Sequence, residues 1–312
     1  MAAWPRALVA VVLVALATGS AVLTSSLAST TARPTQVATA DNAPVVLPSA
    51  QLGPTAPAIQ PPQLTATSND CVNVPIVYYH YIRVDTNPRD TLGQQLSVSP
   101  QQFQAQMDWL HQAGVHPVTL AQVWAAINGG AALPSRPIVL TFDDGHSDFA
   151  TRAVPVLLRE GFIATSFVVP GFLGRSSYMT YQQVVEVSND GMVIGAHTMH
   201  HINLNAVSLQ LAKIEIDASK SVLEGLTGRS VLDFAYPYGY HDPAVVSLVA
   251  QDGFRDAVVT TWGTQQCASN RYTLHRIEVA GSYNVWSFAR AAGLPVPPPG
   301  WADSGLPPSR TS

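Results

Sequence analysis

Three short segments gather residue types that could do chemistry together. Asp143 and Asp144 follow the apolar run Ile138-Val139-Leu140-Thr141-Phe142 and precede Gly145. His197 and His201 stand four apart in His197-Thr198-Met199-His200-His201, and the third segment is Phe234-Ala235-Tyr236-Pro237-Tyr238-Gly239. One carboxylate with two imidazoles is a ligand set for a borderline divalent ion, Zn²⁺ first, with Co²⁺ or Ni²⁺ as alternatives. Three protein ligands leave a coordination position open, which marks a catalytic rather than a structural metal site. Such an ion lowers the pKa of bound water to ~7, and a free carboxylate beside it can take the proton. The acid pair therefore offers one ligand and one general base. Taken singly, the segments have plainer readings: an acidic turn, a surface histidine pair, an aromatic turn. Their shared place at the ends of strands argues for a joint role.

The elements that must position these residues follow from pattern. Side chains alternate faces along a strand, so two neighbouring carboxylates share a pocket only where the strand stops and the backbone turns. Gly145 permits that turn. The run Ile138–Asp143 reads as a buried parallel strand, and functional residues gather at the C-terminal ends of such strands. Further strands are expected at Val74–His80, His116–Thr119, Phe162–Val169, Met192–Ala196, Asp233–Tyr236 and Asp256–Thr260. Helices are expected from Pro100 with Ser99 as cap, at Leu120–Asn128, Asp148–Glu160, Thr180–Asn189, Ser208–Leu226 and Pro243–Gln251. The alternation of strand and helix predicts an α/β fold with a parallel sheet or barrel.

Composition bounds the partners. Apolar residues make up 47% and charged residues only 12% of 312 residues, and the formal net charge is −4. With no Lys/Arg cluster, nucleic acid is excluded as the expected partner. Few charges with ten Tyr and six Trp lean toward an exported protein that handles neutral polymers. Residues 1–28 read as a signal peptide or membrane anchor: Arg6, the apolar stretch Ala7–Ala17, and an Ala15-Leu16-Ala17 cleavage-like site. Residues 29–70 hold seven prolines and no periodicity, and read as a disordered linker. The catalytic domain is expected at 71–293 and a flexible Pro-rich tail at 294–312. Cys71 and Cys267 are the two cysteines; they either bridge the domain's start to a late loop or stay free thiols. An extracellular or cell-surface monomer is expected, with the N-terminal segment as its tether if it is retained.

Thr141-Phe142-Asp143-Asp144-Gly145, His197-Thr198-x-x-His201 and Tyr236-Pro237-Tyr238-Gly239 resemble the signature motifs of polysaccharide deacetylases of carbohydrate esterase family 4, the NodB-homology fold. The likeness runs from Val74 to Ala280, about two-thirds of the chain. It implies a distorted (β/α) barrel and metal-dependent removal of acetyl groups from N-acetylglucosamine polymers or O-acetylated sugars. It further implies Asp143 as general base, and Asp144, His197 and His201 as metal ligands. The Tyr238 N–H would hold an oxyanion, with Tyr236 and Tyr238 at the substrate. Ala235 stands where most of the family has an Arg that tethers the base. Arg276 or Arg83 must then take over, and the Asp-Trp motif that orients that Arg elsewhere is not evident. Phe-Ala-Tyr-Pro-Tyr-Gly is similar instead to the poly-N-acetylglucosamine deacetylase branch. In that branch a histidine from the start of the domain supplies the general acid, which favours His80 in Val74–Tyr81 over His275. A non-catalytic glycan-binding domain and an O-acetyl esterase are the competing functions.

Overall fold

The computed structural model describes residues 71–299 and Trp301. The expected leader and linker, and the tail from 302 onward, lie outside the described residues. Among the described residues an eight-stranded parallel sheet runs in the order Asp256–Val258, Asp233–Ala235, Val193–Ala196, Thr165–Val168, Pro137–Phe142, Ile76–Tyr79 and Ile277–Glu278, with His116–Pro117 also pairing with Pro137–Phe142. The central strands are buried almost throughout, which is why they read as unbroken apolar runs rather than alternating ones. Residues 271–276 tie the two ends of the sheet together. Leu274 donates to Ala257 O at 2.9 Å and accepts from Val259 N at 3.0 Å, and Arg276 N donates to Thr261 O at 3.0 Å. The same stretch continues into Ile277–Glu278, which pairs with Ile76–Tyr79. The sheet therefore closes into a barrel through a short segment that carries Arg276.

Helices cover the outside of the sheet, and local sequence explains where they start. Ser99, Thr119 and Thr180 each form a capping box with a Gln three residues on, opening Pro100–Gln112, Leu120–Ile127 and Tyr181–Asn189. Ser208 caps Leu209–Thr227, and Asp242 with Pro243 opens Pro243–Gln251. Phe103, Met107 and Leu110 are fully buried on the first of these helices, as their spacing predicts. The segment expected as one helix from Asp148 differs: it begins with a π-helical turn, Phe149–Ala153, before the α-helix Val154–Glu160. Such wide turns cluster at functional sites, and this one starts five residues after Asp144. Among the described residues, no helix is long and apolar enough to cross a membrane.

Cys71 and Cys267 are bonded, facing each other in the antiparallel pair Cys71–Asn73 and Gln265–Cys267. The start of the region expected to be a loose tail is tied down. Pro295 O accepts from Trp109 Nε1 and Pro297 O from Trp286 Nε1, both at 2.9 Å, and the Trp301 ring lies 5.0 Å from that of Trp109.

The disulfide closes a sequence separation of 196 residues, which chain entropy values at up to about 5 kcal/mol and practice at about 2–4 kcal/mol. Cys71→Ser with Cys267→Ser should lower the Tm by roughly 5–15 °C in thermal unfolding. An unchanged Tm would mean the bridge constrains nothing.

Candidate active site

The strand Pro137–Phe142 ends by delivering both acids, and the backbone then separates them. Asp143 N still donates to Tyr79 O at 2.9 Å, continuing the strand ladder. Asp144 takes φ 71° and Gly145 φ 78°. A left-handed Asp is costly without support, and here it interrupts the strict alternation of faces along the strand. Thr198, His201 and Tyr238 also have φ between 56° and 60°, so among the described residues four of the six non-glycine residues with positive φ lie in the three motifs.

Asp143 is 3% exposed and gripped at both oxygens: Arg276 Nη1 donates to Oδ1 at 2.7 Å and Nη2 to Oδ2 at 2.8 Å. This fork fixes orientation as well as charge. Arg276 is itself fully buried, donating to Val259 O and Thr141 Oγ1, with its guanidinium 4.4 Å from the Tyr78 ring. Burial alone would raise the Asp143 pKa; the Arg276 charge and hydrogen bonds outweigh it, with His197 and His80 adding, so the carboxyl lies below its usual range. A depressed carboxyl contributes stability that is full above ~3.9 and lost as pH falls through the folded value, so the clamp weakens only in acid.

Asp144, His197 and His201 form a separate group whose ligand atoms lie within 4.8 Å of one another. Asp144 Oδ1 is 3.3 Å from His201 Nε2 and 3.6 Å from His197 Nε2, and this buried oxygen has no hydrogen-bond partner. These two distances are close to the ~3.4 Å edge of a tetrahedron with ligands ~2.1 Å from its centre. His197 Nδ1 lies 2.7 Å from Ala235 O. A carbonyl only accepts, so Nδ1 carries a proton and the ring turns Nε2 into the group. Burial and then the His197 charge push His201 down to about 4 against the pull of Asp144, so its imidazole is neutral at pH 7, as a ligand must be. Burial would raise Asp144, but the His146 hydrogen bond and the charges of His197, His80 and His201 bring it well below the usual range. The donor set and its orphaned oxygen fit a divalent ion.

Sequence reasoning found this group and missed what supports it. His146 Nε2 lies 3.2 Å from Asp144 Oδ2, its ring stacked 3.9 Å from Tyr81 and tilted 4.8 Å from Tyr178. Glu215 holds the histidine loop: Oε2 accepts from His200 N at 2.8 Å, Oε1 lies 2.7 Å from His200 Nδ1, and Glu215 O accepts from Met199 N. Its signal was a lone charge on the buried stripe Ala212, Ile216, Ser219 and Leu223. Gln266, fully buried, bonds Val74 O and both backbone groups of His275 at 3.0–3.1 Å, securing the residue before Arg276.

The remaining candidates separate. His80 lies within electrostatic reach of Asp143 and Asp144, and burial, opposed by those two charges, lowers its pKa. His275 packs instead on Gly263, where an added Cβ would come within 3.0 Å of its ring. Arg83 bonds Ser97 Oγ and Asp85 and lies over the Tyr81 ring, which leaves the tether to Arg276. Tyr238 is 55% exposed, its ring 4.7 Å from that of His201. Tyr236 corrects the expectation of a substrate contact: it is fully buried in the core, edge-on to Phe234, because the strand register at Asp233–Ala235 turns its ring inward.

A barrel with a carboxylate–histidine triangle and a clamped acid at its rim defines a class of hydrolase, and comparison with known proteins agrees. Residues 130–257 match the polysaccharide deacetylase family model, so this stretch is a polysaccharide deacetylase domain. It is 28% identical over 207 residues to YxkH of Bacillus subtilis, covering 66% of this chain and 71% of that one. It is 32% identical over 221 residues to the poly-beta-1,6-N-acetyl-D-glucosamine N-deacetylase of Escherichia coli K12, covering 64% of this chain but only 29% of that protein. Among solved structures, the Streptococcus pyogenes deacetylase PplD in complex with acetate superposes with TM-score 0.66 at 26% identity, over 71% of this chain and 98% of that one.

Arg276→Leu should cost about 3–5 kcal/mol in urea unfolding, because it strands a buried carboxylate. Adding Asp143→Asn should recover part of that loss; a double variant as unstable as the sum of the single ones would mean the two residues do not act as a pair.

Proposed function

We propose that this protein is a metal-dependent hydrolase that removes N-acetyl groups from an N-acetylglucosamine-containing polysaccharide. The observation that carries the reading is the division between two adjacent carboxylates: Asp143 bound to Arg276, and Asp144 facing the imidazoles of His197 and His201. The relatives named for action on poly-N-acetylglucosamine favour the substrate class.

Asp144, His197 and His201 would hold the ion, Zn²⁺ by donor chemistry. When bound, it supplies Lewis acidity, bringing water in the site to a pKa of ~7 and polarising a carbonyl. Asp143 is a weak base, since Arg276 holds its pKa down, so it suits only such an acidified water. Two lone-pair sites on its oxygens remain beyond the two that accept from Arg276. The left-handed Tyr238 would turn its backbone N–H toward the developing oxyanion, and its exposed ring toward the sugar. His80 would protonate the leaving amine. The bridged cysteines suit an oxidising compartment, consistent with export of the chain and an extracellular polymer as partner.

Asp144→Ala and His201→Ala should lose zinc by elemental analysis and release no acetate from N-acetylglucosamine oligomers. Asp143→Asn should keep the zinc and lose at least about 100-fold in kcat; full activity in that variant would remove Asp143 as base. His80→Ala should lose about 100-fold or more on these amides but far less on 4-nitrophenyl acetate, whose leaving group needs no proton. Equal losses on both substrates would argue against His80 as the acid. Acetate release from O-acetylated glycans alone would favour an esterase.

A further inference from the structure

Beyond His146 the rim opens into a second cleft, of about 180 Å³, lined by Tyr81, Arg83, Ser147, Asp148, Thr151, Arg152 and Ser177. Tyr81 is the wall between this cleft and the Asp144 site. His146 stacks 3.9 Å from the Tyr81 ring and the Arg83 guanidinium lies 3.7 Å from it. Both distances are too short for one face, so both faces of Tyr81 are covered and the ring is a partition rather than a platform for sugar stacking. Ser147 N donates to Ser177 O at 3.0 Å, which joins the loop after Asp144 to the loop carrying Tyr178 and fixes the far side of the cleft.

The polar groups here are set rigidly, and one has nothing to bind. Asp148 Oδ2 accepts from Ile82 N at 3.0 Å, and Arg152 Nη1 donates to Ile82 O at 2.9 Å. One residue's backbone thus pins an acid and a base side by side. Asp148 Oδ1 is buried without a hydrogen-bond partner, a state that costs about 1–3 kcal/mol unless a donor arrives. Arg152 makes no ion pair with any described residue, whereas Arg83 is paired with Asp85.

The charges decide what donor fits. An anion would meet Asp148 and Asp85, and a cation would meet Arg83 and Arg152. A neutral polyhydroxy ring meets no such repulsion: its hydroxyls both donate to Asp148 and accept from Arg152 and the Ser and Thr hydroxyls. We propose that this cleft is a saccharide subsite in which Asp148 and Arg152 bind the hydroxyls of a sugar unit next to the one that loses its acetyl group. The assignment rests on the deacetylase reading above and adds to it a chain-length requirement, one aromatic ring away from the reacting unit.

Two variants test it. Asp148→Asn keeps an oxygen for Ile82 N but puts an amide where Oδ1 stands, and Thr151→Trp fills the cleft from its exposed rim. The probes are N-acetylglucosamine monomer and its β-1,6-linked pentamer, with 4-nitrophenyl acetate as a reporter too small to span both sites. The ratio of kcat/KM for pentamer to that for the reporter should fall about tenfold in each variant, mainly through KM, as expected for a lost hydrogen bond to a charged group. Calorimetric binding of the pentamer to the Asp143→Asn protein should weaken about tenfold when either change is added, while monomer binding changes less. An unaltered ratio and affinity would show that the cleft holds only water. Parallel losses on pentamer and reporter would show a structural role and overturn the subsite. No acetate from any glycan in the wild type, with pentamer binding still sensitive to both variants, would overturn the deacetylase reading while leaving the subsite standing.

Discussion

Arg276 and Asp143 form a two-pronged, almost wholly buried ion pair, and the site is organised around it. A buried carboxylate without a partner would give up its charge, and with it the capacity to act as a base. Arg276 keeps Asp143 ionised and aims it. That arrangement binds the chemistry to the closure of the barrel, because Arg276 lies in the stretch that joins the two ends of the sheet. The supports extend outward from there: Gln266 clamps His275, the residue after Gln266 is the bridged Cys267, and Cys71 ties that segment to the start of the first barrel strand. The disulfide, remote from the acids in sequence, thus braces the segment that positions one of them.

A second constraint separates the adjacent acids. An extended chain would point Asp143 and Asp144 to opposite faces, yet both serve one rim. The left-handed turn at Asp144 solves this at the cost of strain, and His146 holds the turned carboxylate by its outer oxygen. The histidine loop is strained in the same way at Thr198 and His201, with Glu215 of the long helix Leu209–Thr227 holding it from below. The rim geometry is therefore fixed by buried polar contacts from a helix and a closing segment, not by the motif residues alone.

Much of the fold was legible because most barrel strands are short apolar runs and most helices begin with a capping residue and end near glycine. The closing stretch 271–278 escaped, since its regular strand is only Ile277–Glu278 and its hydrogen bonds are long-range. The pair Cys71–Asn73 and Gln265–Cys267 escaped for the same reason. Asp144, His197 and His201 could be read from residue type and spacing together with family resemblance. The tether of Asp143 could not: Arg276 and Arg83 are equivalent on paper, and only the register of the closing segment points one of them inward. Tyr236 was misread because a motif residue at a strand end looks exposed until its ring is seen packed against Phe234. His146 reads from sequence only as near enough to a strand end to line a cleft, because a histidine after Asp-Asp-Gly carries no signal of the turn that folds it back on Asp144.

The central claim is that two neighbouring carboxylates do different work, one held by a guanidinium and the other by a metal ion. Anomalous diffraction at the zinc edge, on crystals of the zinc-loaded protein, tests it most directly. The expected result is a single peak ~2.0–2.2 Å from one oxygen of Asp144 and from the Nε2 atoms of His197 and His201, with both oxygens of Asp143 still on Arg276. A peak ligated by Asp143, or an Asp143 released from Arg276, would contradict the account.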